Sequence, residues 1–281
     1  MRKVGIVTDS TADLPKEYIE KYNIQVVPLK VLFGDEEFLD NVNLKPVEFY
    51  KKLTTSKFFP RTSQPSPSDF IDIYKKLGEE TETIISIHLS SKLSGTYQSA
   101  LIAKSNLEDL DIHVIDSKVP SMVLGMIVLE AARACEQGKD KEEILKLINY
   151  LINKIKVYFV VDTLEYLQKG GRIGKASAFL GNLLSVKPIL SIGDGEVIPV
   201  EKIRGRSNAF KKMIELMKED VSPGSPIKIS VFDADSEKEA YKLIEMVKSE
   251  FNVTEVIKST IGTVIGTYVG PGTVAITFYE E

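Results

Sequence analysis

Short apolar runs alternate with amphipathic segments through about the first 160 residues, and this alternation constrains the fold more than any other feature. Lys3–Thr8 ends in the polar sequence TDSTAD and Thr83–His88 ends in SSKLSGT, as is typical of buried strands that run into loops. Lys141–Lys154 repeats apolar residues at helical spacing. Strands separated by helices predict a parallel sheet covered on both faces, a three-layer α/β/α domain.

Proline and turn-forming residues refine this prediction. Asp13 is expected to cap a helix that has Pro15 in its first turn. Ile24–Leu32 is predicted as one strand with an edge or a bulge at Pro28, because proline cannot donate to a strand ladder. The segment SKFFPRTSQP, residues 56–65, is predicted as a loop.

The pattern changes near Val157. Ala176–Leu184 is predicted as a short apolar helix, and Pro188–Glu201 has the glycine-centred turn of a hairpin. A hairpin among α and β elements favours a mixed sheet. We therefore predict two α/β domains, residues 1–158 with a parallel sheet and residues 159–281 with a mixed sheet.

Composition limits the classes of function. The net charge of −4 disfavours nucleic acid and broad anionic membrane surfaces as partners. The single cysteine, Cys135, excludes an internal disulfide, and we interpret it as a small apolar side chain in a helix rather than a nucleophile. No apolar run has the roughly 18 residues of a membrane-spanning helix. The first residues are too short an apolar run for a signal peptide. We expect a cytoplasmic protein without stable membrane insertion.

Histidine is scarce, which restricts metal and triad chemistry. His88 and His113 are the two histidines, and both lie in strand-like runs, where we interpret them as half-buried strand residues. They form no zinc-ligand spacing with Cys135, so no metal site is predicted. A serine–histidine–carboxylate triad would have to use one of them.

Nucleotide-binding motifs are incomplete in this chain. KGGRIGKA, residues 169–176, has Lys169 where a P-loop needs glycine and Ala176 where it needs serine or threonine. GPGTVA, residues 270–275, has no helix after it and no acidic residue at the spacing of a dinucleotide site. There is no G-x-S-x-G nucleophile motif. No cofactor is predicted.

Hydroxyl side chains gather in loops that follow predicted strands, and ligands of parallel α/β sheets bind at such strand ends. Ser94 and Gly95 also lie at a helix start, where free backbone N–H groups favour an anion. These loops suit a carboxylate or a phosphate, but they are equally well interpreted as helix caps and turns. The three loops contain Asp9–Thr11, Thr62 with Ser63, and Ser90–Thr96.

Seven motifs, in one order along the whole chain, resemble those of the DegV family of bacterial fatty-acid-binding proteins. The resemblance implies two α/β domains with a long-chain fatty acid, such as palmitate, buried between them. It further implies that Thr62 and Ser94 hold the carboxylate, and that the protein presents the acid to a separate fatty-acid kinase subunit, which makes an acyl phosphate. The motifs are TDSTADLP (8–15), TSQPSP (62–67), LSGTYQSA (93–100), KGGRIGKASA (169–178), KPIL (187–190), RGRSNA (204–209) and IGTVIGTYVGPG (261–272).

Tyr268 departs from the family pattern, because many members have a histidine there. A tyrosine still donates a hydrogen bond to a carboxylate but carries no positive charge toward a phosphate. The departure therefore bears on the carrier role more than on binding. Further candidates for contacts with the head group or a partner are Ser63, Gly95, Thr96, Tyr268, Arg172 and Arg204, and Arg206 is a candidate for a phosphate or partner surface.

A sixteen-carbon acid would be held mainly by its hydrocarbon. About 14 methylenes at ~0.8 kcal/mol each give roughly 11 kcal/mol before association costs. A hydroxyl that meets the carboxylate adds ~1–3 kcal/mol and fixes direction. Candidate walls, equally well interpreted as ordinary core, are Phe179, Leu180, Leu183, Leu184, Ile189, Leu190, Ile192, Ile261, Val264 and Ile265.

The main alternative is an enzyme, a serine-dependent acyl hydrolase or transferase. Ser94 would be its nucleophile and His88 the nearest histidine in sequence to act as base. A phosphotransferase acting alone lacks a phosphate-binding loop. We favour a lipid-binding protein with no catalysis of its own.

Overall fold

The computed structural model describes residues 2–180 and 186–281. The strands are β1 (Arg2–Asp9), β2 (Gln25–Val27), β3 (Lys30–Phe33), β4 (Glu36–Leu39), β5 (Arg61–Ser63), β6 (Thr81–His88), β7 (Asp111–Asp116), β8 (Lys156–Val160), β9 (Val186–Gly193), β10 (Glu196–Arg204), β11 (Pro226–Asp233), β12 (Asn252–Thr260) and β13 (Val274–Glu280). The α-helices are α1 (Lys16–Tyr22), α2 (Pro46–Thr55), α3 (Pro67–Gly78), α4 (Thr96–Ser105), α5 (Ser121–Glu136), α6 (Lys141–Lys154), α7 (Glu165–Lys169), α8 (Arg206–Asp220), α9 (Glu237–Lys248) and α10 (Thr263–Val269). Ser10–Ala12 and Gly174–Phe179 form short 3₁₀ helices.

The N-terminal part contains a parallel sheet in the order β2-β1-β6-β7. On one face, Val7 and Ile84 pack against Phe70 and Ala100 of α3 and α4. The other face packs against α5, whose residues are almost entirely buried. This arrangement confirms the predicted parallel sheet with helices on both faces.

The C-terminal part contains a mixed sheet in the order β10-β9-β8-β13-β11-β12, in which only the pair β11–β12 is parallel. One face packs against Phe210 of α8 and Leu243 of α9. The opposite face, with Phe159 and Ala275, joins the apolar cluster of the N-terminal part. The predicted mixed sheet is confirmed. The domain boundary after residue 158 falls within β8 and stays a prediction.

A third, small antiparallel sheet in the order β4-β3-β5 was not predicted. Ile24–Leu32 is two strands rather than one, because the ladder stops at Pro28, which has no N–H to donate: β2 joins the parallel sheet and β3 the small one. The prediction of an unbroken loop over residues 56–65 is also wrong. Arg61–Ser63 within it pairs with β3, and this pairing gives Thr62 a fixed position.

Two local predictions about helices need correction. Asp13 does not cap α1, whose N-cap residue is Pro15; Asp13 is buried with a left-handed backbone (φ 51°), and its carboxylate contacts residues far along the chain. The helix predicted over residues 176–184 is a 3₁₀ helix that ends at Phe179, and residues 181–185 lie outside the described residues.

Helix α10 comes late in the chain but lies against early elements, namely α2, β3 and β5, as well as α7. A Cβ at Gly266 would stand 2.6 Å from the Tyr50 hydroxyl, so glycine permits this close approach. The hydroxyl of Tyr50 donates to the carbonyl of Ile261 at 2.9 Å. These contacts join the two halves of the molecule. Within residues 2–180 and 186–281, none of the helices is long and apolar enough to cross a bilayer.

Candidate functional site

An apolar cavity lies between the inner face of the mixed sheet and the N-terminal domain. The cavity is narrow, with a volume of about 80 Å³. Its apolar walls come from both domains, with α10 along one side. They are Leu29, Leu89, Leu93, Pro120, Val123, Val157, Phe159, Leu167, Ile192, Val197, Phe232, Ile261, Val264, Ile265, Val269 and Ala275.

Two of the polar residues that line the cavity are satisfied within the protein. Ser121 donates its hydroxyl to Oδ2 of Asp13 at 2.5 Å, and Thr273 donates to the carbonyl of Val269 at 3.0 Å. Neither hydroxyl needs a ligand. Among the described residues that line the cavity, donor capacity toward a ligand is therefore confined to Thr62, Ser94, Arg172 and Tyr268, which we call the mouth cluster.

Thr62 reaches the cavity because it is the central residue of β5. Side chains alternate along a strand, so Thr62 points inward while its neighbour Ser63 is exposed and bonds only the carbonyl of Gln64. Oγ1 of Thr62 lies 2.5 Å from the hydroxyl oxygen of Tyr268. Two hydroxyls that share one hydrogen bond keep one proton free, and this proton can be donated to an anion.

Ser94 is held at the start of α4. Its N–H donates to the carbonyl of Ser90 at 3.1 Å, and its Oγ lies 3.0 Å from Oγ1 of the buried Thr96. A Cβ at Gly95, between them, would stand 2.1 Å from the side-chain amide of Gln64, so a larger residue there would displace that amide. Gln64 in turn donates to Oγ of Ser99 at 3.0 Å. Gly95 and Thr96 thus support Ser94 rather than line the cavity themselves.

Arg172 brings positive charge to the mouth cluster. Its guanidinium lies 4.9 Å from the ring centroid of Tyr268. Nε donates to the carbonyl of Leu93 at 3.3 Å and Nη1 to that of Gly170 at 2.9 Å. Within the described part of the chain Arg172 has no acidic partner, so its charge is available to an anion at the hydroxyls.

The other predicted cationic residues lie elsewhere. Arg204 is exposed at the end of β10 and does not line the cavity. Arg206 pairs with Asp162, which also accepts from Lys187 at 2.6 Å. The positions of Arg204 and of the exposed Ser63 do not favour contact with a head group in the cavity. The predicted partner contacts of both residues, and the phosphate or partner surface predicted at Arg206, stay predictions.

The predicted apolar walls are brought to the cavity only in part. Ile192, Ile261, Val264 and Ile265 line it. Four other candidates do not: Ile189 faces the core under α8 and α9, Leu190 is buried beside the cavity, and Phe179 and Leu180 lie away from it. Leu183 and Leu184 are outside the described residues. The walls from the N-terminal domain were missed, because no local pattern tells which faces of two domains meet.

His88 belongs to a buried hydrogen-bond chain that the sequence did not reveal. Tyr74 donates to Oγ of Ser86 at 2.8 Å, Oγ of Ser86 lies 2.6 Å from Nε2 of His88, and Nδ1 of His88 lies 2.9 Å from Oδ2 of Asp9. All four residues are fully buried, so His88 is not half-buried as predicted. Because both ring nitrogens are occupied, His88 is not a base for Ser94, which argues against the hydrolase alternative.

The remaining candidates for chemistry are unremarkable in position. His113 is partly exposed on β7, with Nε2 at 2.9 Å from a carboxylate oxygen of Asp111. Cys135 packs against the main apolar cluster on α5, as predicted. Across residues 2–180 and 186–281, no group of three or more histidine, cysteine or acidic side chains is arranged to hold a metal ion.

Known proteins resemble this chain along its whole length. A family model described as an uncharacterised protein of the DegV family matches residues 3–281. A fatty acid-binding protein of Thermotoga maritima is 38% identical over 277 residues, which are 97% of this chain and 96% of the relative. A DegV family structure from Thermus thermophilus, described by its fatty acid binding, covers 100% of both chains with 35% identity and a TM-score of 0.94. A stearic acid-binding protein from Eubacterium ventriosum covers 100% of this chain and 98% of its own, with 28% identity and a TM-score of 0.90.

These descriptions name binding proteins rather than enzymes. They agree with the prediction of a protein without catalysis of its own. The Thermus thermophilus structure also shares the fold over the full chain, so the predicted fold class is confirmed.

Proposed function

The chain belongs to the DegV family, and we propose that it binds a long-chain fatty acid in the cavity between its two domains, with the carboxylate at Thr62 and Ser94. One observation carries the proposal: a narrow apolar cavity whose available donors, as far as residues 2–180 and 186–281 line it, lie in the mouth cluster. A long-chain acid has the matching distribution, an anionic end on a hydrocarbon.

The apolar walls supply most of the binding free energy in this proposal. Burying an acyl chain of sixteen carbons is favourable by roughly 11 kcal/mol, from which the entropy of association and of chain ordering is subtracted. The mouth cluster then decides which end of the acid enters and where it stops. A neutral ligand of the same hydrocarbon length should bind more weakly, because Arg172 and the free hydroxyl proton of the Thr62–Tyr268 pair would face no anion.

The carboxylate is held without a fixed ion pair. Hydroxyls of Thr62 and Ser94 donate to it, and Arg172, 4.9 Å from the Tyr268 ring, offers positive charge beside them. Tyr268 takes the role of a hydrogen-bond partner for Thr62, at 2.5 Å. A phenol serves this purpose as well as an imidazole, which is why the departure at Tyr268 is compatible with binding.

We also propose that the bound acid is presented to a separate fatty-acid kinase, which phosphorylates its carboxylate. The carboxylate would lie near the protein surface, because Thr62, Ser94, Arg172 and Tyr268 are all only partly buried. Tyr268 adds no positive charge there, so Arg172 is the cation of the mouth cluster that would face a developing phosphate. The test is whether a kinase of this class phosphorylates stearate bound to this protein and loses activity with Arg172→Gln.

Binding itself is tested on protein purified from a bacterial host. Denaturing the protein should release a stoichiometric C14–C18 acid, identified by mass spectrometry. A preparation without lipid that also fails to take up labelled palmitate or stearate would refute the proposal. Thr62→Ala and Ser94→Ala should weaken uptake, whereas Ser63→Ala, on the exposed neighbour of Thr62, is the matched control and should not.

A further inference from the structure

Helix α10 carries four residues of the proposed site but has no cap from its own segment. Val264, Ile265 and Val269 line the cavity and Tyr268 contacts Thr62. The N-cap residue, Gly262, has no side chain to satisfy the free N–H groups that every helix start exposes. Those groups must find acceptors elsewhere in the molecule.

Two carboxylates of the N-terminal domain supply the acceptors. The N–H of Gly262 donates to Oδ1 of Asp13 at 3.0 Å. The N–H and the hydroxyl of Thr263 donate to Oδ1 of Asp40 at 3.1 and 2.7 Å. Both acids are buried, and a carboxylate at a helix N-terminus is also favoured by the helix dipole.

The local geometry is built around this contact. A Cβ at Gly262 would stand 2.4 Å from Oδ1 of Asp13, although the backbone there (φ −67°) suits any residue. Asp13 adopts a left-handed backbone and also accepts from Ser121 at 2.5 Å. Its backbone carbonyl accepts from Ser259. Three hydrogen bonds, from Gly262, Ser121 and Ser259, thus fix the position of Asp13. This fixed position restricts where α10 can begin.

We propose that Asp13 and Asp40 are positioning residues, which seat α10 so that the Tyr268 hydroxyl meets Thr62 at the head-group end of the cavity. This inference rests on the proposed function of that site. Tyr268 lies five residues beyond Thr263, about 7.5 Å along the helix axis. Because this distance is short, a displacement of the helix start should displace the Tyr268 hydroxyl by nearly the same amount. Neither carboxylate touches the ligand.

Ligand affinity in a double-mutant cycle tests the proposal. With stearate as the probe, Asp40→Ala should raise the Kd about tenfold, and it should have less than about a threefold effect when Tyr268→Phe is already present. Asp40→Asn keeps the acceptor for Thr263 and should restore binding. Asp140→Ala, which removes the N-cap carboxylate of α6 away from the cavity, is the matched control and should leave the Kd unchanged. Additive effects of Asp40→Ala and Tyr268→Phe would overturn the proposal.

A measurement without ligand separates this inference from the function. The protein contains 11 tyrosines, and the ¹⁹F resonance of Tyr268 in 3-fluorotyrosine protein is assigned by Tyr268→Phe. Asp40→Ala should shift this resonance and Asp140→Ala should not. If Asp40→Ala does not fold, Gly262→Ala displaces Asp13 instead and is expected to give the same shift. An unmoved resonance refutes the inference, whereas a shifted resonance in a protein that binds no fatty acid refutes only the proposed function.

Discussion

Two hydroxyl-rich loops that look alike in sequence have different surroundings in the molecule. The loop after β1, with Asp9 and Thr11, is buried, and its polar atoms are bonded to each other and to β6. The loop after β6, with Ser94, borders the cavity and is partly open. Both follow a strand of the same parallel sheet. The difference teaches that hydrogen-bond satisfaction, rather than the presence of hydroxyls, separates a structural loop from one with donors available to a ligand.

The buried loop should therefore respond to mutation through stability, and the mouth cluster through affinity. Asp9 accepts four hydrogen bonds: from the N–H and hydroxyl of Thr11, from the ring of His88 and from the N–H of Leu89. Thr62 and Ser94, in contrast, make few bonds that folding requires. If substitutions in the buried loop changed affinity alone, or substitutions in the mouth cluster changed stability alone, the two regions would not differ in this way.

The largest expected effect is that of Asp9→Ala. It leaves several buried donors without an acceptor, and we expect the free energy of unfolding to fall by about 3–5 kcal/mol. Urea denaturation followed by circular dichroism measures this loss. A loss below about 1 kcal/mol would mean that the buried loop is not a structural network.

The matched control for Asp9→Ala is Asp69→Ala. Asp69 belongs to the capping box of α3 with Ser66, and it is exposed. Losing a helix cap costs about 1 kcal/mol, so the two aspartates should differ clearly. Equal losses would contradict the distinction drawn from burial.

The next effect concerns affinity. Thr62→Ala and Ser94→Ala should each weaken binding of stearate by about 1–3 kcal/mol, because a hydroxyl donor to the carboxylate is lost. The midpoint of urea unfolding should barely move, since both side chains are only partly buried. Isothermal titration calorimetry and unfolding curves on the same preparations separate the two readouts. If Thr62→Ala or Ser94→Ala lowered the free energy of unfolding as much as Asp9→Ala does, the distinction between the two regions would be contradicted.

Much of the fold was predictable because its signals are local. The alternation of strands and helices predicted the parallel sheet, and Lys141–Lys154 is the helix expected from its apolar spacing. Asp13 was misassigned for a physical reason: an aspartate two residues before a proline looks like a helix cap, but its partner is Gly262, 249 residues away. The mouth cluster joins Thr62 and Tyr268, which are 206 residues apart. Periodicity cannot predict that such distant residues lie close together, and only the family resemblance indicated that both belong to the head-group end.

The buried loop after β1, which includes Asp13, should also give the stability a dependence on pH. Burial, and then the nearby Asp40 carboxylate, raises the pKa of Asp13 well above its usual value of 3.8. The folded protein then holds a proton that the unfolded chain has released, so this contribution to stability is present below about pH 4 and is lost as the pH rises toward the folded pKa. The unfolding free energy of the wild type minus that of Asp13→Asn should therefore decrease with rising pH.

Asp111 provides a control of opposite sign. Although burial alone would raise its pKa, the hydroxyl of Thr83 and the ammonium of Lys141 lower it below 3.8. Its contribution is present above the unfolded pKa and is lost as the pH falls. The difference between wild type and Asp111→Asn should increase with rising pH. Parallel slopes for Asp13→Asn and Asp111→Asn would contradict the assignment of Asp13 to the buried region.

The smallest effect is expected at the outer edge of the loop after β6, where two contacts reach the turn of the β9–β10 hairpin. The hydroxyl of Ser90 donates to the carbonyl of Gly195 at 2.7 Å and is buried, whereas Lys92 pairs with Asp194 at 2.6 Å in solvent. Exposed ion pairs are screened by salt and contribute little to stability. Lys92→Ala should therefore leave both unfolding and stearate affinity unchanged, while Ser90→Ala should cost about 0.5–1.5 kcal/mol of stability. If Lys92→Ala were the more damaging change, charge rather than burial would decide how this loop is held, and the comparison between the two loops would lose its basis.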